Sequence, residues 1–438
     1  MKNRFLWLII LLLPEGLFIS LNAQNGITIQ NIADTDIPTS KALPSGMKLV
    51  WNDEFNGKEL DHTKWWDRYF SSLDWFNPSA YKAFLEKKLP VADYQFTGTS
   101  IILKATDNIY PGANRQVSSI QTYNWETNTN MMDNSLGGYF EARIRRDIPE
   151  GGDKVNLAFW FDSPGPDLKY YLEKGGEAFG TRGIRPRGQI FEIDMCEYIT
   201  TEIVLHGNVD PKGRFERNIG HYIHKGDFKG KWVVHSVLWT PAGLKFYIDG
   251  NLIKEWWNPK DIKSPNHDMN MFFGAYGTNG VTMEVDYVRY YQWRLEEGNL
   301  LPNSGFEYSD RIFPWQGTAQ IIKEGTYSGT FALKLLPNTF VEQYIYLDHS
   351  IDYELAFWAK GEGVISVGVE NIIQVSGLPE DMNNKSYNTT SHYTKHKFQF
   401  KTTPEPLDNK KTIRVKFENN SDKEIILDDL SIIRKCIR

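Results

Sequence analysis

Short runs of alternating apolar and polar residues, broken by turn residues, recur along nearly the whole chain. Met47 to Trp51, Ser100 to Ala105, Gly138 to Arg145, Val155 to Phe161, Ile190 to Tyr198, His235 to Trp239, Lys245 to Asp249 and Met283 to Gln292 form a first series. A period of two puts alternate side chains on opposite faces, which is the pattern of half-buried strands. Helical periodicity is nearly absent, and Gly, Pro, Asn and Asp separate the runs. This predicts an all-β chain of sandwiches or barrels. Asp249-Gly250-Asn251, following Leu244 to Ile248, fits a tight hairpin.

A second series begins near Asn299: Phe331 to Leu335, Tyr353 to Ala359, Val364 to Val369, His396 to Lys401, Thr412 to Phe417 and Glu424 to Leu427. Charged residues interrupt the apolar runs between Trp293 and Glu297. At 438 residues the chain is long for one domain. The expected division is 46–295 for the first β-sandwich and 298–438 for a second, smaller one. A hydrophobic content of 41% supports packed cores for both.

The start of the chain has the layout of an export signal. Lys2 and Arg4 precede an apolar run from Phe5 to Leu13, and Leu21-Asn22-Ala23 offers a cleavage site. Residues 1–23 are read as a signal peptide and 24–45 as a polar leader, which predicts a secreted or periplasmic protein; an uncleaved anchor is the alternative. The run is too short to span a bilayer, so no membrane span is expected in the mature chain. The two cysteines, Cys196 and Cys436, fall in different sandwiches, so no disulfide is expected. A net charge of −6 argues against nucleic acid as partner. Fourteen Trp and 22 Tyr suit either sugar-stacking surfaces or aromatic cores. A monomer acting on a polysaccharide or oligosaccharide is the expectation.

The segment Gln189 to Tyr198 carries most of the chemistry. It is apolar enough for a sheet, yet holds Glu192, Asp194 and Glu197 within six residues. Alternation puts Glu192 and Asp194 on one face, and a β-bulge at Met195-Cys196 would return Glu197 to that face. Like charges among Ile, Phe, Met and Cys are costly unless used, although surface strands do carry acids. Spacing along the strand puts the α-carbons of Glu192 and Glu197 ~12–15 Å apart, less with the bulge. Side chains leaning inward could approach the separation of about 5.5 Å that double displacement at a sugar needs. Glu192 would be the ionised nucleophile and Glu197 the protonated acid/base, with Asp194 holding Glu192.

Glu192-x-Asp194-x-x-Glu197 resembles the active-site strand of glycoside hydrolase family 16, in the bulged laminarinase- and agarase-like form. Lys48 to Gly57 with Leu60-Asp61 and Trp65, Gly138 to Arg143, Ala158-Phe159-Trp160, Trp239-Thr240-Pro241, Tyr247 to Gly250 and Val285 to Gln292 resemble further family strands, over about residues 46 to 293. The resemblance implies a concanavalin-like β-jelly roll with an open cleft on its concave face. It also implies the roles just given for the three acids, with Trp160 and His206 lining the cleft; a purely structural His206 remains the alternative. The implied activity is an endo-acting, retaining hydrolase of β-1,3/1,4-glucan or galactan; a non-catalytic glycan-binding protein on the same fold is the other reading. Catalysis calls for no cofactor, while family members often hold a structural calcium, here through Glu54 and Asp286.

The long stretch from Asp162 to Gly188 departs from the family and contains Arg182, Arg185 and Arg187. It is either a solvated loop or, with Arg187 as substrate contact, a site for sulfated galactan or host glycans. Trp75, Phe76 and Tyr81 sit in a second insert and would either build sugar subsites or pack the loop. Asn299 to Glu307, Tyr327-Ser328-Gly329, Tyr353 to Gly361 and Leu427 to Leu430 resemble carbohydrate-binding modules of the family 4/9 type. That unit could bind sugar or act as a spacer.

Overall fold

Two antiparallel sheets, stacked over one core, account for the first series of strands. The structure, a computed structural model, describes residues 40–106, 109–152, 155–164, 190–207, 218–258, 261–308, 312–373, 378–404 and 410–435. The signal and leader expected before residue 40 and the arginines at 182, 185 and 187 lie outside these residues, as does Cys436.

One sheet has eight strands. Seven run in the order Asn251–Trp256, Gly243–Ile248, Trp232–Thr240, Gly138–Asp147, Thr282–Trp293, Ile101–Lys104, Tyr94–Phe96, and Met47–Asp53 also pairs with Thr282–Trp293. The other has six, in the order Gly220–His224, Thr201–His206, Glu192–Glu197, Asn156–Asp162, Asn270–Gly277, Gln116–Gln121. Alternation decides which side chains enter the shared core. From the six-stranded sheet come Phe159, Phe161, Ile193, Ile203, Leu205, Met271 and Phe273, and the eight-stranded sheet answers with Phe140, Ile144, Val237, Trp239, Val285 and Val288. The Asp249-Gly250 hairpin is as expected: both residues have positive φ, 50° and 79°, and join Ile248 to Asn251 directly.

The insert, made of residues 66–89 and the small hairpin 123–130, is more ordered than its sequence suggested. It holds a 3-10 turn, Ser72–Phe76, and the helix Pro78–Leu85, whose start is capped by Asn77 Oδ1 accepting from the backbone N–H groups of Ser79 and Ala80. Trp75 contacts Phe70, Tyr81, Phe84 and Trp125, so Trp75 and Tyr81 pack the insert.

The second series of strands forms another sandwich of two five-stranded sheets. Its core includes Leu333, Phe357, Val367, Val415, Phe417 and Ile432. Both sandwiches lie within one compact unit, Thr39–Arg438. Tyr346 of the second reaches Trp239 and Pro265 of the first, and Tyr344 and Ile372 pack with Ala242 and Ile262. Among the described residues no helix is long and apolar enough to cross a membrane.

Candidate active site

The acidic strand, Glu192–Glu197, lies between Asn156–Asp162 and Thr201–His206. Its register shows where the extra residue sits. Asp162 pairs with Glu192 and Trp160 with Asp194, but Phe159 pairs with Cys196, so one residue is gained on the acidic strand. The other neighbour agrees: Val204 pairs with Asp194 and Glu202 with Glu197. The bulge is therefore at Met195-Cys196, as the parity of the sequence predicted. Ile193, Met195 and Cys196 enter the core, whereas Glu192, Asp194 and Glu197 share the sheet's outer face. Cys196 is a free, buried thiol.

The three acids have different surroundings. Asp194 is 3% exposed, and Glu192 and Glu197 are half-buried. Burial, then the charges of Glu192 and Glu197, push the Asp194 carboxyl well above its ordinary range. Asp194 also shares a hydrogen bond with Glu192. Glu197 is also raised, first by burial; a hydrogen bond from Asn156 Nδ2 to Oε1 at 2.6 Å opposes this, Glu202 adds to it, and Arg115 and His221 draw it back.

His206 stands directly across from Glu192. Its Nδ1 accepts the Asn218 backbone N–H at 3.1 Å, so the ring proton sits on Nε2, 3.7 Å from Asp194 Oδ2. One donor atom from each of Glu192, Asp194 and His206 fits within 4.8 Å of the other two. The structure therefore brings His206 into the acid cluster. Trp160 is on the same face, beside Asp194, but it stacks on Phe272 at 4.1 Å, bonds Tyr276 through Nε1 and is only 7% exposed. It offers no open platform for a sugar, because the insert has covered it.

Several neighbours escaped the sequence analysis. Asn156 shares parity with Trp160 and Asp162, which was the available signal. Asp162 was placed in a loop; it is the last residue of its strand, its Oδ2 accepts the Ser72 backbone N–H at 2.7 Å, and burial raises its carboxyl to about 7. Arg146, buried from the opposite sheet, donates to the backbone carbonyls of Glu197 and Tyr198 and to Thr201 Oγ1, which holds the end of the acidic strand. Nothing in the local sequence marks it.

Glu54 and Asp286 lie at the eight-stranded sheet, and each is taken by an arginine. Arg289 forks onto both oxygens of Glu54 at 2.9 and 2.8 Å, and Arg143 pairs with Asp286 at 2.5 Å. A calcium ion needs oxygen ligands where these guanidinium groups stand, so the pair does not fit one.

The acidic strand lies within a segment that matches a known family. Residues 179–294 match the family model for glycosyl hydrolases family 16, so that stretch of the first sandwich carries this family's pattern. Among curated proteins, glucan endo-1,3-beta-glucosidase A1 of Niallia circulans is 23% identical over 290 residues, covering 58% of this chain and 39% of that one. The chain thus spans about two fifths of the length of that relative. Among solved structures, an endo-β-galactosidase from Clostridium perfringens that releases GlcNAcα1-4Gal aligns at 20% identity and a TM-score of 0.41, over 71% of this chain and 80% of that one. A laminarinase from Flavobacterium sp. UMI-01 aligns at 18% and 0.38, over 56% of this chain and all of that one.

Proposed function

We propose that the protein is an exported glycoside hydrolase that cuts internal bonds of a β-linked glycan, a β-1,3/1,4-glucan or a galactan, by double displacement. The observation that carries this is the register that gathers Glu192, Asp194 and Glu197 on one face of the sheet, the two glutamates half-buried and Asp194 buried between them. In the first step Glu192 attacks the anomeric carbon, the glycosidic carbon–oxygen bond breaks, and the Glu197 proton passes to the departing oxygen. Asp194, neutral and bonded to Glu192, orients the nucleophile and spares it the repulsion of a second charge. His206 Nε2 lies 3.7 Å from Asp194 Oδ2, beside the same cluster. Once Glu192 is esterified its charge is gone, and Glu197, now ionised, takes a proton from the water that attacks the anomeric carbon and frees Glu192. No step needs a metal or cofactor.

The test is hydrolysis of laminarin, lichenan, agarose, porphyran, carrageenan, keratan sulfate and mucin glycans, with the anomer of the first product read by NMR. Retention of configuration on at least one is expected. Glu192→Gln and Glu197→Gln should each lower kcat by ~10³-fold or more with Tm nearly unchanged. Wild-type rates in either variant, or inverted product, would overturn the assignment.

A further inference from the structure

The two carboxyls of a retaining site flank the bond that is cut. A line joining them therefore crosses the sugar chain. Here both glutamates lie on one strand, so the sugar chain runs across the strands, over the width of the six-stranded sheet. The two directions away from the acids are not alike.

Toward Thr201–His206 and Gly220–His224, the described residues place no aromatic insert over the acid face; Val204, across from Asp194, is 4% exposed, and the exposed part lies toward the Glu197 end. Glu202 pairs with His221 Nε2 at 2.6 Å beside Glu197, Ile223 is 48% exposed and Tyr198 41%. Polar pair and exposed apolar groups together are what successive sugars can use. Toward Asn156–Asp162 and the two strands beyond it, the same face is covered. Trp160, Phe272 and Tyr276 share one buried cluster with Trp66, Phe70 and Trp125 of the insert. Tyr69 lies on the sheet side of this cover, with ring centroids 6.4 Å from Trp160 and 5.3 Å from Tyr276. The cover is bonded in place: Trp66 pairs with Gln121 at the far edge of the sheet, and Ser72 donates to Asp162, the residue directly across from Glu192.

We propose that the cleft is closed on this side, so that the enzyme accepts a chain end against the insert and releases a short product of fixed length. Adjacent strands are ~4.8 Å apart, close to the length of one sugar ring, and the first strand on that side is already covered. That leaves about one sugar's length between the scissile bond and the wall. This narrows the cutting of internal bonds proposed above to the bond a fixed short distance from one chain end. This rests on the hydrolase function proposed above.

The experiment is an early-time digest of laminarin, lichenan, agarose and mucin glycans, with products resolved by mass spectrometry and residual polymer by size-exclusion chromatography. One dominant short product with the polymer mass barely changed supports the closed arm. A ladder of lengths with an early fall in polymer mass overturns it and leaves the hydrolase function standing. No release from any probe overturns both. In Tyr69→Ala, products one sugar longer should join the short one; an unchanged product length in the folded variant contradicts the wall. Should that variant fail to fold, the wild-type product pattern decides.

Discussion

Glu197 and Asp162 are both raised carboxyls, and both favour the lower side of their titration, one through turnover and the other through stability. Glu197 must hold a proton to act as acid, so turnover should fall as pH rises through its raised pKa. The Asn156 hydrogen bond lowers that pKa, and removing it raises it. Asn156→Ala should therefore move the alkaline limb of kcat/KM to higher pH, and an unmoved limb would mean that this bond does not tune the acid. Asp162 acts on stability. An unfolded Asp titrates near 4 and this one at about 7, so between those values the folded chain holds a proton that the unfolded chain has released. Stability is lost as pH climbs through that window, by ~1.4 kcal/mol per unit at the steepest. Asp162→Asn cannot ionise, and its amide can face Asn270, the residue paired with it, whose Oδ1 has no partner. Its Tm relative to wild type should increase from pH 4 to pH 8; a constant difference would mean the carboxyl titrates normally. The three catalytic candidates could be read from sequence because they interrupt an apolar run. Asp162 could not, since a single acid at the end of such a run looks like the start of a loop, and only the insert folding over it makes it buried.

The bulge is the element on which the acid face depends. Deleting Met195 leaves Glu-Ile-Asp-Cys-Glu, where plain alternation still keeps all three acids on one face. Measurable turnover should survive, with stability reduced by roughly 2–4 kcal/mol because Met195 fills core space. Inserting one alanine after Cys196 instead turns Glu197 toward the core, and activity should fall to background. Assays of both variants, with circular dichroism for folding, separate parity from local damage. The strands and the bulge were legible because parity is a local property of the sequence. The insert was not: its aromatics read equally well as sugar platforms, and only the sheet beneath them, assembled from strands spread between Gln116 and Gly277, shows which surface they cover.

At the scale of the molecule, the two sandwiches share buried side chains. Trp239 Nε1 donates to Pro265 O and to Tyr346 Oη, and across the joint Asn266 Nδ2 donates to the Lys410 carbonyl while the Lys410 N–H donates to the Asn266 carbonyl. Calorimetry should show one unfolding transition. Tyr346→Phe should cost about 1 kcal/mol, and Tyr344→Ala with Tyr346→Ala should split the transition in two. Two transitions in the wild type would mean the joint is weak. Sequence patterning separated the two series of strands, but it could not show that Tyr344 and Tyr346 face a neighbour, since an outward tyrosine on a strand looks the same whether it meets water, sugar or another sheet. The fork of Arg289 on Glu54 has a consequence for conditions of use. A bound ion can be stripped away by a chelator, whereas a guanidinium tethered to the backbone cannot leave. Melting should accordingly be indifferent to EDTA and to added calcium, while Arg289→Ala should lower stability by about 3 kcal/mol at most. Where free divalent ions come and go, the molecule would carry its counter-charge with it.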